Sequence, residues 1–204
     1  DSYDIVVNTV GMSPLRSPST PYKAAHVLAV KNLLQELRPE QYLVHVSAAG
    51  ATKDTRSLYL STKKEGEDLV VQRGHSLVLK PSLLYGEGGE ISEVMRIFSY
   101  TRMIPFIDTK VAPMHVQEAA ERSVESILQK TAGTLELEGT VQTVSSFFAS
   151  QVGGSVTVPT FLWKPVFWGL TELHLFGLTH EQRHLLGNDA IRRAPCTLLQ
   201  LLVL

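Results

Sequence analysis

Short apolar runs alternate with helical patterns along the first half of the chain, and this alternation restricts the fold more than any other feature of the sequence. Residues 5–10 (IVVNTV), 42–46 and 77–79 are β-branched or apolar runs of strand length. Residues 22–37 and 58–73, which lie between these runs, carry apolar side chains at helical spacing. Strands joined by helices of this length form βαβ units, so we expect an α/β fold with a Rossmann-like parallel sheet.

The second half of the chain is less regular and predicts a smaller, irregular lobe. Thr143 has the side chain of a helix N-cap, and the chain after it predicts a helix to residue 150. The other elements expected here are helices over residues 92–100, 116–128 and 161–176, and strands over residues 135–137 and 156–158. We therefore expect a Rossmann-like domain over residues 1–130 and the irregular lobe over residues 131–204.

Charge balance and cysteine content exclude several classes of function. The 204 residues carry a net charge of -1, so the chain lacks the basic excess with which proteins neutralise nucleic-acid phosphates. Cys196 is the single cysteine, which excludes an internal disulfide framework and fits a reducing compartment. Charged residues interrupt every apolar stretch before it reaches about 18 residues, so we expect no membrane-spanning helix.

Tyr59 and Lys63 form a Tyr-x-x-x-Lys pair on the helix predicted over residues 58–73. The i, i+4 spacing places both side chains on one helix face. A nearby ammonium favours the phenolate and lowers the pKa of a tyrosine toward that of a general acid/base, and the same lysine can donate hydrogen bonds to ribose hydroxyls. The alternative interpretation is a solvent-facing helix pair without a functional role.

Further motifs follow the predicted strands, at the carboxyl ends where parallel sheets bind ligands. In chain order the motifs are Asn8-Thr9-Val10-Gly11, Ser47-Ala48-Ala49-Gly50, Tyr59-x-x-x-Lys63, Lys80-Pro81-Ser82-x-x-Tyr85-Gly86 and Pro113-Met114-His115-Val116. Over about residues 3–150 this order resembles the extended and atypical short-chain dehydrogenase/reductases, which bind NAD(P).

That resemblance implies a role for individual positions. Residues 8–11 would lie under the adenosine and its ribose, Tyr59 would be the acid/base residue, and Lys63 would contact the ribose. Pro81 and Ser82 would border the nicotinamide, whereas His115 would lie at the edge of the second lobe or serve as a packed loop residue. The cofactor-binding positions implied in this way are Asn8, Val10, Gly11, Ser47, Tyr59, Lys63, Lys80, Pro81 and Ser82.

Two departures from the family pattern matter for function. The Gly-x-x-Gly-x-x-Gly loop, whose backbone N–H groups meet the cofactor pyrophosphate, is absent, so we expect the chain to begin two or three strands into the domain. Ala49 stands where active members carry the catalytic serine, and Ser47 matches a preceding serine. The fold could then bind a dinucleotide without turning it over. If the alignment with the family pattern is moved by one or two residues, Ser47 instead supplies the catalytic hydroxyl.

Longer stretches are similar to one branch of the family. They are Tyr59-Leu60-Ser61-Thr62-Lys63-Lys64-Glu65-Gly66-Glu67, Leu79-Lys80-Pro81-Ser82, Thr134-Leu135-Glu136-Leu137-Glu138-Gly139 and Leu178-Thr179-x-x-Gln182-x-x-Leu185-Leu186-x-x-Asp189. This pattern resembles the dehydrogenase-like accessory subunits of respiratory complex I and their bacterial relatives. It implies a non-catalytic subunit that binds NADP(H), or alternatively NAD(H), beside other complex I subunits.

The same resemblance implies a location and leaves one enzyme hypothesis open. The subunit would lie where the matrix arm meets the membrane arm, on the matrix side of the mitochondrial inner membrane. Residues 161–176 and the apolar tail from Thr197 would contact the membrane surface or a partner subunit, with packing in the core as the alternative for the helix. The enzyme hypothesis is an active reductase or epimerase in which Tyr59 moves the proton, Lys63 tunes it and Ser47 supplies the hydroxyl.

A competing motif lies near the carboxyl terminus of the chain. His180, Glu181 and His184 spell His-Glu-x-x-His, the signature in which two histidines bind zinc and the glutamate activates water. A third ligand should follow, and Asp189 is the only acidic residue after the motif. The alternative is a capped helix with two surface histidines, and we expect no metal site.

Overall fold

The computed structural model describes residues 3–12, 21–55, 57–159 and 161–162. In chain order its elements are β1 (Ile5–Asn8), a π-helical turn (Ala24–Leu28), α1 (Ala29–Glu36), β2 (Tyr42–Val46), α2 (Leu58–Val71), β3 (Ser76–Pro81), β4 (Leu84–Tyr85), α3 (Glu90–Thr101), β5 (Met103–Pro105), β6 (Lys110–Val111), β7 (Met114–His115), α4 (Val116–Leu128), β8 (Gly133–Leu137), β9 (Gln142–Thr143), α5 (Val144–Gln151) and β10 (Val156–Val158).

A four-stranded parallel sheet organises the first part of the structure. Its spatial order is β1-β2-β3-β8, and every pairing is parallel. The register sets Asn8 opposite His45, and His45 opposite Val78, so these residues lie at one level, which is near the carboxyl ends of β1 and β2. The α/β fold with a Rossmann-like parallel sheet is therefore confirmed.

Several expected elements agree closely with the structure. Strand β2, strand β10 and helix α4 have the bounds that the sequence predicts. Thr143 caps α5 as expected, since its hydroxyl accepts a hydrogen bond from the N–H of Ser146 at 3.1 Å. Ser57 begins α2 in the same way, accepting from the N–H of Leu60 at 3.2 Å. Local side-chain chemistry thus sets where these helices begin.

Two expected elements differ from the structure near the carboxyl end of β1. The first strand ends at Asn8 instead of residue 10, because the Asn8 carboxamide oxygen accepts a hydrogen bond from the N–H of Val10 at 3.0 Å and turns the chain. The helix expected over residues 22–37 begins with the π-helical turn and is regular only over α1. A π-helical turn inserts one extra residue into a helical turn, which periodicity alone does not reveal.

Contacts divide the described residues into two compact units. The first contains residues 3–12, 21–55, 57–82 and 114–138, and its core joins Val30, Leu43, Val70 and Val78. The second contains residues 83–113, 139–159 and 161–162, and its core includes Phe98, Ile104, Phe147 and Phe148. This division differs from a single boundary at residue 130, because the last strand of the sheet, β8, follows that position.

Candidate functional site

The carboxyl ends of β1 and β2 are joined by a buried pair of polar side chains. Asn8 is 5% exposed and His45 is 1% exposed, and the Asn8 Nδ2 donates a hydrogen bond to the His45 Nδ1 at 3.1 Å. The Asn8 oxygen is occupied by the N–H of Val10, which fixes the orientation of the carboxamide. The His45 proton therefore lies on Nε2, which has no hydrogen-bond partner among the described residues.

Tyr59 and Lys63 lie on the buried face of α2. Tyr59 is 3% exposed and Lys63 is 5% exposed, so the pair does not face solvent. The Lys63 Nζ donates a hydrogen bond to the carbonyl oxygen of Val46, the last residue of β2, at 3.2 Å. Burial lowers the pKa of Lys63 to about 8, because the interior disfavours the charged form.

The backbone at Gly11 lies close to the Lys63 amino group. A Cβ at Gly11 would lie 2.8 Å from the Lys63 Nζ and 3.7 Å from the His26 Nε2. The Gly11 backbone therefore lies beside the Lys63 ammonium, and a side chain at this position would require the lysine to shift. The structure thus brings together Gly11 and Lys63, which the family resemblance assigns to one cofactor site, whereas Asn8 contacts His45.

Two aromatic rings pack against Tyr59. Its ring packs edge-on against Tyr22, with centroids 5.8 Å apart, and against His26, with centroids 5.4 Å apart.

The His26 Nε2 accepts a hydrogen bond from the N–H of Met12 at 3.2 Å, and its Nδ1 lies 2.9 Å from the hydroxyl of Thr62. Burial first and the charge of Lys63 second lower the pKa of His26 to about 4, and the same causes lower the pKa of His45 to about 4.

Ser47 and Lys80 converge on a different group, the carboxylate of Glu67. The Ser47 hydroxyl, which is fully buried, donates a hydrogen bond to the Glu67 Oε2 at 3.1 Å. Lys64 and Lys80 lie 2.6 Å and 3.8 Å from the same carboxylate, and Glu67 is only 3% exposed. Lys80 also pairs with Glu136 at 3.3 Å. The Ser47 hydroxyl is thus held by a carboxylate inside a buried ion cluster.

The remaining expected site residues lie near the ends of other elements. Pro81 is the buried last residue of β3, and the N–H of the buried Ser82 donates to the carbonyl of Leu137 at 3.0 Å. Val10 is 53% exposed, beyond the end of β1. His115 is exposed and begins α4, where its Nδ1 accepts from the N–H of Gln117 at 3.3 Å.

Sequence reasoning missed His26, His45, Thr62 and Glu67. The sequence did contain a signal for His45, because it is the one basic side chain within the apolar strand YLVHV. His26 lies among alanine and valine in the π-helical segment AAHVL, where a polar ring has to find partners or be exposed. The roles of Thr62 and Glu67 depend on contacts with residues 36 and 20 positions away, which no local pattern encodes.

The sites proposed for a metal and for membrane contact fall mostly beyond the described residues. In the described ranges there is no cluster of His, Cys, Asp and Glu side chains that could hold a metal ion. None of the helices in those ranges is long and apolar enough to cross a membrane. The residues His180, Glu181 and His184, the apolar tail and most of the segment 161–176 lie outside the described residues.

Comparison with known proteins adds evidence at the level of the fold. No family model and no curated protein matches the sequence. Among solved structures, a dTDP-4-dehydrorhamnose reductase from Clostridium acetobutylicum aligns with a TM-score of 0.65 and 17% identity, covering 76% of this chain and 65% of that chain. The same enzyme from Bacillus anthracis, in complex with NADP, aligns with a TM-score of 0.64 and 16% identity, covering 76% and 66%.

A third similar structure is MoeE5 in complex with UDP-glucose and NAD, with a TM-score of 0.60, 16% identity and coverage of 76% and 65%. This chain thus spans about two thirds of the length of the solved proteins it matches. The fold is the Rossmann-like fold of these reductases and of related epimerases and dehydratases. At such low identity the likeness extends to the fold and not to the activity.

Proposed function

We propose that this chain holds NADP(H) as a bound group without turning it over, as an accessory subunit of mitochondrial NADH:ubiquinone oxidoreductase (complex I). NAD(H) is the alternative nucleotide. Support for the nucleotide comes from the fold, because similar structures carry NADP, NADPH or NAD according to their descriptions. Support for the accessory role comes from the resemblance carried by residues 59–67 and 79–82.

The residues present fit the ribose end of a dinucleotide. The Lys63 ammonium has three donors and uses one on the carbonyl of Val46, which leaves donors that suit the hydroxyl oxygens of a ribose. Gly11 lacks the side chain that would otherwise press on the amino group. When bound, the nucleotide would supply hydride chemistry, whereas Lys63 and the backbone of residues 8–12 would bind and orient it.

The hydrogen bond from Ser47 to Glu67 carries the non-catalytic part of the proposal. Carbonyl reduction requires a proton donor at the substrate oxygen and a preorganised hydrogen bond that stabilises its developing charge. The Ser47 hydroxyl instead donates to Glu67, and position 49, after β2, carries only the methyl group of an alanine. The acid/base tyrosine of the family pattern, Tyr59, is buried and packs edge-on against the rings of Tyr22 and His26.

The second candidate function is an active reductase or epimerase. It is favoured by the retention of Tyr59 and Lys63 on one face of α2 and by the fold shared with dTDP-4-dehydrorhamnose reductases. In that case Tyr59 would transfer the proton, and Lys63 would lower the pKa of the Tyr59 hydroxyl. The Ser47 hydroxyl would have to break its hydrogen bond to Glu67 to reach a substrate. A nucleotide sugar is the substrate class that the solved structures favour.

Native purification of the full protein from its source tests the proposal first. We expect mass spectrometry to find the chain in a respiratory assembly, in contact with complex I subunits of the matrix side and the inner membrane, with stoichiometric NADP(H) released on denaturation. Steady-state oxidation of NADPH with a nucleotide-sugar ketone would establish the enzyme function and contradict the accessory role. A chain that travels alone and free of nucleotide also contradicts it.

Substitution of Lys63 tests the binding site itself. We expect Lys63→Met to weaken NADPH binding at least about tenfold, because a charged hydrogen bond to the nucleotide is lost. Lys31→Met is the matched control, since Lys31 is an exposed lysine of α1 and should leave the dissociation constant unchanged. Equal affinities for the two variants in calorimetric titrations of the full chain would place the nucleotide elsewhere.

A further inference from the structure

We infer that His26 is a positioning residue of the dinucleotide site, because its imidazole links the backbone at Met12 to Thr62 on α2 and so holds the adjoining Gly11 beside the Lys63 amino group. The inference rests on the proposed function for the identity of the ligand. The link itself can be tested without a nucleotide.

The tautomer of His26 follows from its two partners. A backbone N–H can only donate, so the Nε2 that faces Met12 at 3.2 Å carries no proton. The proton is therefore on Nδ1, which donates to the Thr62 hydroxyl at 2.9 Å. That hydroxyl donates in turn to the carbonyl of Leu58 at 2.7 Å. The direction of every bond from Met12 through His26 to α2 is thus determined.

The backbone around His26 is built for close packing. His26 is 1% exposed and occupies the middle of the π-helical turn Ala24–Leu28. A Cβ at Gly66 would collide with the carbonyl oxygen of His26, so α2 lies directly against this turn. π-helical turns are often found at functional sites. Here the extra residue and the missing side chain of Gly66 set the distance between the imidazole and α2.

The link lies beside Lys63 in both sequence and space. Thr62 precedes Lys63 on α2, and Met12 follows Gly11, whose backbone packs on the Lys63 amino group. At the other end of this segment Asn8 is held by His45, which has the opposite tautomer. Two buried histidines therefore form hydrogen bonds at the two ends of residues 8–12, and the Lys63 amino group lies beside Gly11 within that segment.

Burial, with the neighbouring Lys63 charge, keeps the imidazole neutral. Lys63 and His45 are the titratable nitrogen groups that act on it, and Tyr22 and Tyr59 supply the adjoining rings. Burial and the Lys63 charge lower the pKa of His26 to about 4, so the imidazole can accept from Met12 throughout the neutral range. A leucine of similar size would keep apolar packing but could neither accept from Met12 nor donate to Thr62.

The test uses the full chain with His26→Leu, Thr62→Val and the control His75→Leu, which replaces a half-buried histidine that packs on Tyr42 instead. Three quantities are measured: the tautomer of His26 by nitrogen NMR, the rate at which an amine-reactive acylating agent modifies Lys63, and the dissociation constant for NADPH. We expect the Nδ1–H tautomer in the unsubstituted chain. His26→Leu should raise the acylation rate and the dissociation constant about tenfold, Thr62→Val should raise both by a smaller factor, and His75→Leu should change neither.

The outcomes separate this inference from the proposed function. An Nε2–H tautomer overturns the link, as does unchanged Lys63 acylation in folded Thr62→Val, which keeps the test decisive if His26→Leu does not fold. If the unsubstituted chain fails to bind NADPH, the proposed function is wrong, while the tautomer and the acylation rates still decide the role of His26. Faster acylation with an unchanged dissociation constant overturns the assignment of His26 to the nucleotide site.

Discussion

Lys63 carries a buried ammonium, and its burial makes stability depend on pH. Burial lowers the pKa of Lys63 to about 8 in the folded chain, against 10.5 for an ordinary lysine. Between these pH values the unfolded chain binds more protons than the folded chain, so the free energy of unfolding rises with pH in this window. We expect urea unfolding between about pH 7.5 and 9.5 to show this rise, and Lys63→Met to remove it.

Lys31→Met is the control for the same measurement, because it removes an exposed lysine and should leave the rise intact. The range stops near pH 9.5 because burial raises the pKa of Tyr22 and of Tyr42 above 10.0, and their ionisation in the unfolded chain would lower stability at higher pH. A rise that persists in Lys63→Met would mean that another group titrates.

Helix α2 is the element on which the site depends, because it carries Tyr59 and Lys63 toward the sheet and packs against the π-helical turn through Gly66. We expect Gly66→Ala to lower the free energy of unfolding by about 1–3 kcal/mol, since overpacking against a backbone carbonyl outweighs the better helix propensity of alanine. Glu65→Ala is the control on the same helix. It removes only an exposed pair with Lys23 and should change stability by less than about 0.5 kcal/mol. Stabilisation by Gly66→Ala in chemical denaturation would contradict the close packing.

At the scale of the whole molecule, the two compact units have separate apolar cores. Phe147 is 1% exposed in the core of the second unit and packs against Tyr85 and Phe148. We expect Phe147→Ala to destabilise this unit by about 3–5 kcal/mol, so that hydrogen exchange accelerates over residues 83–113 and 139–159 before it does in β2 and β3. Phe106→Ala, which truncates a ring that is 58% exposed, should leave both the stability and the hydrogen exchange of this unit unchanged. Uniform acceleration in both units would show that they unfold together.

The sequence alone determined the α/β class and the positions of the longer helices and main strands, because short-range periodicity and capping encode them. Strand Tyr42–Val46 and helix Val116–Leu128 could be predicted residue by residue, and the spacing of Tyr59 and Lys63 placed them on one helix face. Those features depend on neighbours no more than a few positions away.

Only the tertiary structure decided which partners the site residues have. Glu67 accepts a hydrogen bond from the hydroxyl of Ser47, and His26 forms hydrogen bonds with both Met12 and Thr62. Strand β8 pairs with β3 in the sheet although many residues separate the two strands in the sequence. The physical reason is that a buried polar group must find a partner wherever the fold brings one, and such partners lie far away in sequence. A pattern can therefore nominate Ser47 as a hydroxyl for chemistry, whereas the packing of α2 against β2 decides that a carboxylate holds it.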